Sequence, residues 1–261
     1  MELTCDTSVG ATYTSPAQRA RVISECWFSE NSYCLACESD SLMRSAPNTK
    51  AMDFSCQRCG HFYELKTFRR RPLKSLIDGA YSALLARINS GSAPTLCLLE
   101  RNDRWQISSL TAIHSSFLTP AVIQQRPALG LHARRAGWIG CNIRLDRIPS
   151  DGEIAVVQGG SWSSKAEVRE RFRRFLPLSD IPANQRGWAT LTLWVVRTLG
   201  KEEFRLSDLY EREQSFAEAY PGNRHIRAKI RQQLQVLRDL GVLSFDAPGR
   251  YRLIRKPAVS P

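Results

Sequence analysis

The chain has 261 residues, 43% hydrophobic and 24% charged, with 37 Lys and Arg against 25 Asp and Glu for a net charge of +12. No apolar run reaches the roughly 18 residues of a membrane span, and the opening MELTCDTSVGATYTS has neither the basic start nor the apolar centre of a secretory signal, so a cytoplasmic protein is expected. Positive charge is spread along the chain, 23 basic against 17 acidic residues up to residue 182 and 14 against 8 beyond it. That balance predicts a polyanionic partner, because cationic side chains gain by releasing counterions from phosphates.

Residues 16–30 have helical spacing, with Ala20, Ile23, Trp27 and Phe28 on one side, Ser15 as the cap and Pro16 at the first helical position. A cysteine-rich, turn-prone stretch follows from Asn31 to Asn48. Residues 51–55 and 62–66 read as short strands joined by the turn Cys56-Gln-Arg-Cys59-Gly60. Leu76, Ile77, Ala80, Leu84 and Ile88 recur at spacings of three and four and predict a second helix over 74–90. Residues 94–100 form a buried strand in which Cys97 is a small core residue, residues 105–108 a neighbour, and 154–158 a further strand. This alternation predicts an α/β layer around a small central sheet.

Residues 169–174 are dense in arginine, and the prolines of the next eight residues mark a linker. The boundary divides the chain into 1–182 and 183–261. Helical segments over 185–199, 205–219 and 223–240, then a hairpin over 242–245 and 250–254, give the order of a winged helix. Residues 257–261 read as a frayed tail.

Two C-x-x-C pairs, Cys34 with Cys37 and Cys56 with Cys59, are separated by 18 residues, the spacing of a closed four-thiolate Zn2+ site. Eight cysteines without a secretory signal favour metal and thiols over disulfides. Overlapping the second pair, Asp53 is followed by Glu64-Leu65-Lys66. In a strand Glu64 and Lys66 share a face, with Asp53 opposite them across the hairpin. The two carboxylates and the Leu65 carbonyl are hard oxygen ligands for Mg2+, and Lys66 would steady an attacking water or the developing charge. Arg134 and Arg135 suit phosphate or guanine, with Trp138 placed to stack on a base. The helix starting near Asn223 is the candidate recognition helix, offering Asn223, Arg224, His225, Arg227 and Arg231 to DNA, with Arg250 and Arg252 on the wing.

The run Ala133-Arg-Arg-Ala-Gly-Trp-Ile-Gly-Cys-Asn-Ile143 resembles a segment of the DpnI-like methyl-directed (type IIM) restriction endonucleases. So do Asp78-Gly-Ala-Tyr81, Glu64-Leu-Lys66 and Ile230-Arg-Gln-Gln-Leu-Gln-Val-Leu-Arg-Asp239, together with the two C-x-x-C pairs and the order of segments. The resemblance covers residues 1 to 254. It implies a PD-(D/E)xK nuclease domain with structural zinc followed by a winged-helix domain, in a monomeric enzyme of a prokaryotic restriction system. Its expected substrate is duplex DNA with methylated adenine in GATC, and both domains would read the site. Carried over by position, Asp53, Glu64 and Lys66 are catalytic. Met52 stands where the wider superfamily has proline. Trp138 and Trp188 are candidate walls of a methyl pocket. The rival reading is a non-catalytic regulator that binds methylated DNA through a zinc ribbon and winged helix.

Overall fold

The computed structural model describes residues 2–45, 52–71 and 74–254. Residue 51 of the expected strand and the expected tail over 257–261 lie outside the described residues. The helix α1 (Pro16–Asn31) opens with proline behind an extended Ser15, whose side chain makes no capping bond. It buries Ile23, Trp27 and Phe28. Two short strands, β1 (Met43–Arg44) and β2 (Phe54–Ser55), then lead to β3 (Phe62–Phe68), which carries the Glu64-Leu65-Lys66 run.

The expected helix over 74–90 is in fact a strand and a shorter helix, β4 (Leu76–Ala80) and α2 (Tyr81–Asn89). The spacing of Leu76, Ile77 and Ala80 imitates a helical stripe, yet burial alternates and Ile77 is 66% exposed. Gly79 makes a helix here costly by about 1 kcal/mol, and antiparallel pairing with a later strand wins. Strands β5 (Thr95–Arg101), β6 (Ile107–Ile113), β7 (Ile123–Gln125), β8 (Gly140–Ile143), β9 (Glu153–Gln158) and β10 (Ser161–Trp162) precede α3 (Lys165–Arg173). That helix includes most of the arginine-dense stretch, and the segment expected as linker contains a 3-10 turn, Leu176–Asp180.

The main sheet has the order β1-β2-β3-β5-β6-β9-β10. Its β3 and β5 run parallel and its other pairs antiparallel. Period-two alternation on β5 sends Leu96 and Leu98 to one core and Cys97 and Leu99 to the other. The Cys97 face packs on α1 and on Val168 and Phe172 of α3. The Leu96 face packs on α2 and on a second sheet, β4-β8-β7.

The C-terminal region begins with α4 (Ala183–Thr198), followed by β11 (Glu203–Arg205), α5 (Leu206–Tyr210), α6 (Glu213–Ala219), α7 (Ile226–Asp239) and the strands β12 (Leu243–Ala247) and β13 (Arg250–Leu253). The helix expected over 205–219 is interrupted at Glu211 and Arg212. Strand β11, unmarked in the sequence, completes a sheet of order β11-β13-β12. Trp188 and Leu191 of α4 and Leu234 of α7 belong to the same buried cluster as Leu84 and Leu96. The two regions therefore share one continuous core.

Candidate active site and metal centre

Pairing of β2 with β3 sets Phe54 opposite Tyr63, so Asp53 leads into β2 beside Glu64. The Asp53 N–H donates to the Tyr63 carbonyl at 2.9 Å, and Asp53 Oδ2 accepts from the Leu65 N–H at 2.8 Å. Glu64 is 7% exposed. Its Oε1 lies 2.6 Å from Lys66 Nζ, and Nζ also donates to Asp78 Oδ1 of β4 at 2.7 Å. The strand thus brings Glu64 and Lys66 together as alternation predicts, whereas Asp53 is tied to the Leu65 backbone. The second carboxylate on the lysine is Asp78. Reading 76–80 as helix hid it; as a strand, alternation places Asp78 inward with Leu76.

Glu64, Lys66 and Asp78 floor a cleft of about 560 Å³, with Gly79, Ala80, Ala83, Leu84, Arg135 and Trp138 forming the rest of its lining. Burial pushes the Glu64 carboxyl up to about 7, against the pull of the Lys66 ammonium and with help from Asp78. Burial also raises Asp53, although the Leu65 N–H draws it back. For Lys66, burial favours the neutral amine, but Glu64 and Asp78 reverse this and hold the ammonium above its ordinary range. The site therefore holds a charged lysine and two proton-retentive acids, Glu64 buried and Asp53 half-buried.

Arg134 and Arg135 are exposed. The Arg135 guanidinium lies 4.8 Å from the Trp138 ring centre. Trp188, in contrast, is 5% exposed and stacks on Tyr220 and Phe216 at 4.1 and 6.0 Å. It fills the core of the C-terminal region.

The four cysteines of the C-x-x-C pairs place their Sγ atoms within 4.8 Å of one another. Cys34 to Cys59 and Cys37 to Cys56 are each 3.6 Å apart. A disulfide needs about 2.05 Å. A tetrahedral site with metal–sulfur bonds of about 2.3 Å has edges of about 3.8 Å, so the cluster fits a metal ion such as zinc. Burial raises the Cys56 thiol, but the backbone N–H groups of Cys59 and Arg58 and the neighbouring thiols pull it down to about 6. Gly60, at φ 73°, turns the second pair back into β3. The first pair is held by Arg169 of α3, whose Nε donates to the Cys34 carbonyl at 3.1 Å and whose guanidinium also reaches Glu38 and Ser39. His61 turns its Nε2 to Thr95 Oγ1 at 2.8 Å, and its ring packs on Phe172.

On α7 the apolar face of Ile230, Leu234 and Leu237 is fully buried, and Arg227 and Arg231 are exposed on the other side. Arg227 pairs with Glu213 at 2.8 Å, and Arg231 donates to Tyr210 Oη at 2.8 Å. Ahead of the helix, Asn223 Oδ1 accepts from the His225 N–H at 2.8 Å; Arg224 and His225 are exposed. Arg250 and Arg252 are exposed on β13. No described helix is long and apolar enough to cross a membrane.

An amphipathic helix with a basic outer face, followed by a hairpin, is an arrangement for entering a DNA groove. Residues 184–253 match the Dam-replacing HTH domain, so the C-terminal region is a helix-turn-helix domain. Residues 1–181 match the Dam-replacing family, DpnI. The chain belongs to that family of DpnI-like methyl-directed restriction enzymes.

Proposed function

We propose that the protein is a type II restriction endonuclease of PD-(D/E)xK type that hydrolyses phosphodiesters in duplex DNA at GATC sites carrying methyladenine. The observation that carries this reading is the cleft floor, where two buried acids, Glu64 and Asp78, flank a half-buried lysine beneath exposed Arg135 and half-buried Trp138. Residues 1–182 would be the nuclease domain, and 183–261 a winged helix that adds a second reading of the site. The protein would act as a monomer.

Asp53, Glu64 and the Leu65 carbonyl would supply hard oxygen donors, and the charge of the two carboxylates fits a divalent cation such as Mg2+. When bound, that cation would lower the pKa of water and neutralise phosphate charge. Lys66 presents an ammonium to the scissile phosphate. Arg134 and Arg135 would grip the backbone, and Trp138 would offer its indole face to a base. Asn223, Arg224, His225, Arg227 and Arg231 would meet DNA at the start of α7. Cys34, Cys37, Cys56 and Cys59 would hold structural zinc in a closed site with no open catalytic position.

The test is strand scission of a methylated duplex in Mg2+, in EDTA, and by Glu64→Ala. Cleavage by the wild type in Mg2+ alone is expected, with a loss of at least about 1000-fold in the variant. Tight binding without scission would instead make the protein a methyl-DNA-binding regulator.

A further inference from the structure

Asp78 lies on the cleft floor and has no part in the hydrolysis described above. Its side chain is 4% exposed and contacts the ammonium of Lys66, the same group that Glu64 contacts from the other side. The two acids are anchored differently. Glu64 sits two residues from Lys66 on β3, whereas Asp78 belongs to the second sheet, where its backbone pairs with Cys141 of β8.

This difference matters when Glu64 binds a cation. A carboxylate that shares its charge with a divalent ion gives less to a neighbouring ammonium. Lys66 would then be held less firmly on the Glu64 side. Asp78 is the partner that remains. We propose that Asp78 is a positioning residue for this hydrolysis: anchored in the second sheet, it holds the Lys66 side chain aimed into the cleft. The inference rests on the nuclease reading given above.

The groups facing Lys66 are Glu64 on its own strand, Asp78 from β4, Asp53 from the lead-in to β2, the Cys141 thiol on β8 and Arg135 across the cleft. Among these Asp78 is the second acid in direct contact with the ammonium, after Glu64. Replacing it by asparagine keeps the shape and removes the charge.

The test compares wild type, Asp78→Asn and Asp78→Glu, all as full chain, in single-turnover cleavage of a methylated duplex with Mg2+. Asp78→Asn should lose about 10- to 100-fold in rate while its affinity for the duplex in Ca2+ stays within about twofold. Asp78→Glu, which restores a carboxylate at the end of the side chain, should recover part of the loss. A readout independent of turnover is acylation of Lys66 by an amine reagent, followed by mass spectrometry; labelling should rise in Asp78→Asn. The proposal fails if Asp78→Asn cuts and labels like the wild type, or if it merely unfolds at lower temperature with Lys66 labelling unchanged. A wild type that binds methylated duplex but never cuts it would overturn the nuclease reading itself, and this inference with it.

Discussion

Glu64 keeps its proton up to about pH 7 because β3 buries it beside a second acid, even with an ammonium 2.6 Å away. A proton and a divalent cation compete for the same carboxylate. Cleavage at limiting Mg2+ should therefore rise through about pH 7, and the midpoint should move to lower pH as Mg2+ is increased. A rate independent of pH between 6 and 8 at every Mg2+ concentration would contradict the assignment. The same shift has a consequence for stability. A carboxyl whose folded pKa is raised contributes stability below its ordinary value of 4.5 and loses it as pH rises through about 7. Without divalent cations, wild type should thus become less stable relative to Glu64→Gln over that window, as read by thermal melts at pH 4.5 and pH 8.

At the scale of elements, the cysteine knuckles tie three pieces of chain together. The first pair is linked to α3 through Arg169, and the second leads directly into β3. Tyr63 of β3 accepts the Leu35 N–H at 2.9 Å and sits 3.3 Å from Cys34 Sγ, so a residue next to Glu64 braces the cluster. One zinc per chain is expected by elemental analysis. Its removal by a strong chelator should lower the melting temperature by about 10 °C, the equivalent of roughly 3 kcal/mol for a chain of this size. A full-strength fold without metal would show the thiols to be idle.

The elements also show what sequence can convey. The C-x-x-C pairs and Glu64-Leu65-Lys66 were legible because each works through residues two or three apart, a distance that local geometry fixes. The apolar stripe of α7 was legible for the same reason. Strand β4 was not, since Leu76, Ile77 and Ala80 satisfy a helical period by coincidence and only pairing with β8 decides against it. Strands β7 and β8, with three and four residues, are too short to carry a period of their own. The contact of Asp78 with Lys66 spans two sheets, and no spacing rule predicts it.

On the scale of the whole molecule, the prolines before α4 read as a linker, but the structure packs across them. Arg197 of α4 grips Asp151 with two bonds of 2.6 Å, and the Asp151 side chain is 1% exposed. Trp194 donates to the Asp146 carbonyl at 2.7 Å, and Arg174 reaches the Gly241 carbonyl. With a shared core as well, the two regions should unfold in a single calorimetric transition. Asp151→Asn should lower that transition by on the order of 2–3 kcal/mol, because it leaves Arg197 without its partner. Two resolved transitions in the wild type would mean that the regions are independent.

Under the proposed function, two docked regions that each read DNA would give methyl recognition a physical route. Burying one methyl group is worth only about 1 kcal/mol, so strong discrimination needs two readings of one site or a pocket that strands polar groups when the methyl is missing. The most direct test is digestion of one plasmid in two forms, adenine-methylated at GATC and unmethylated, with Mg2+ present. Discrete GATC fragments are expected from the methylated form, with the unmethylated plasmid left intact. Equal cutting of both forms would contradict it.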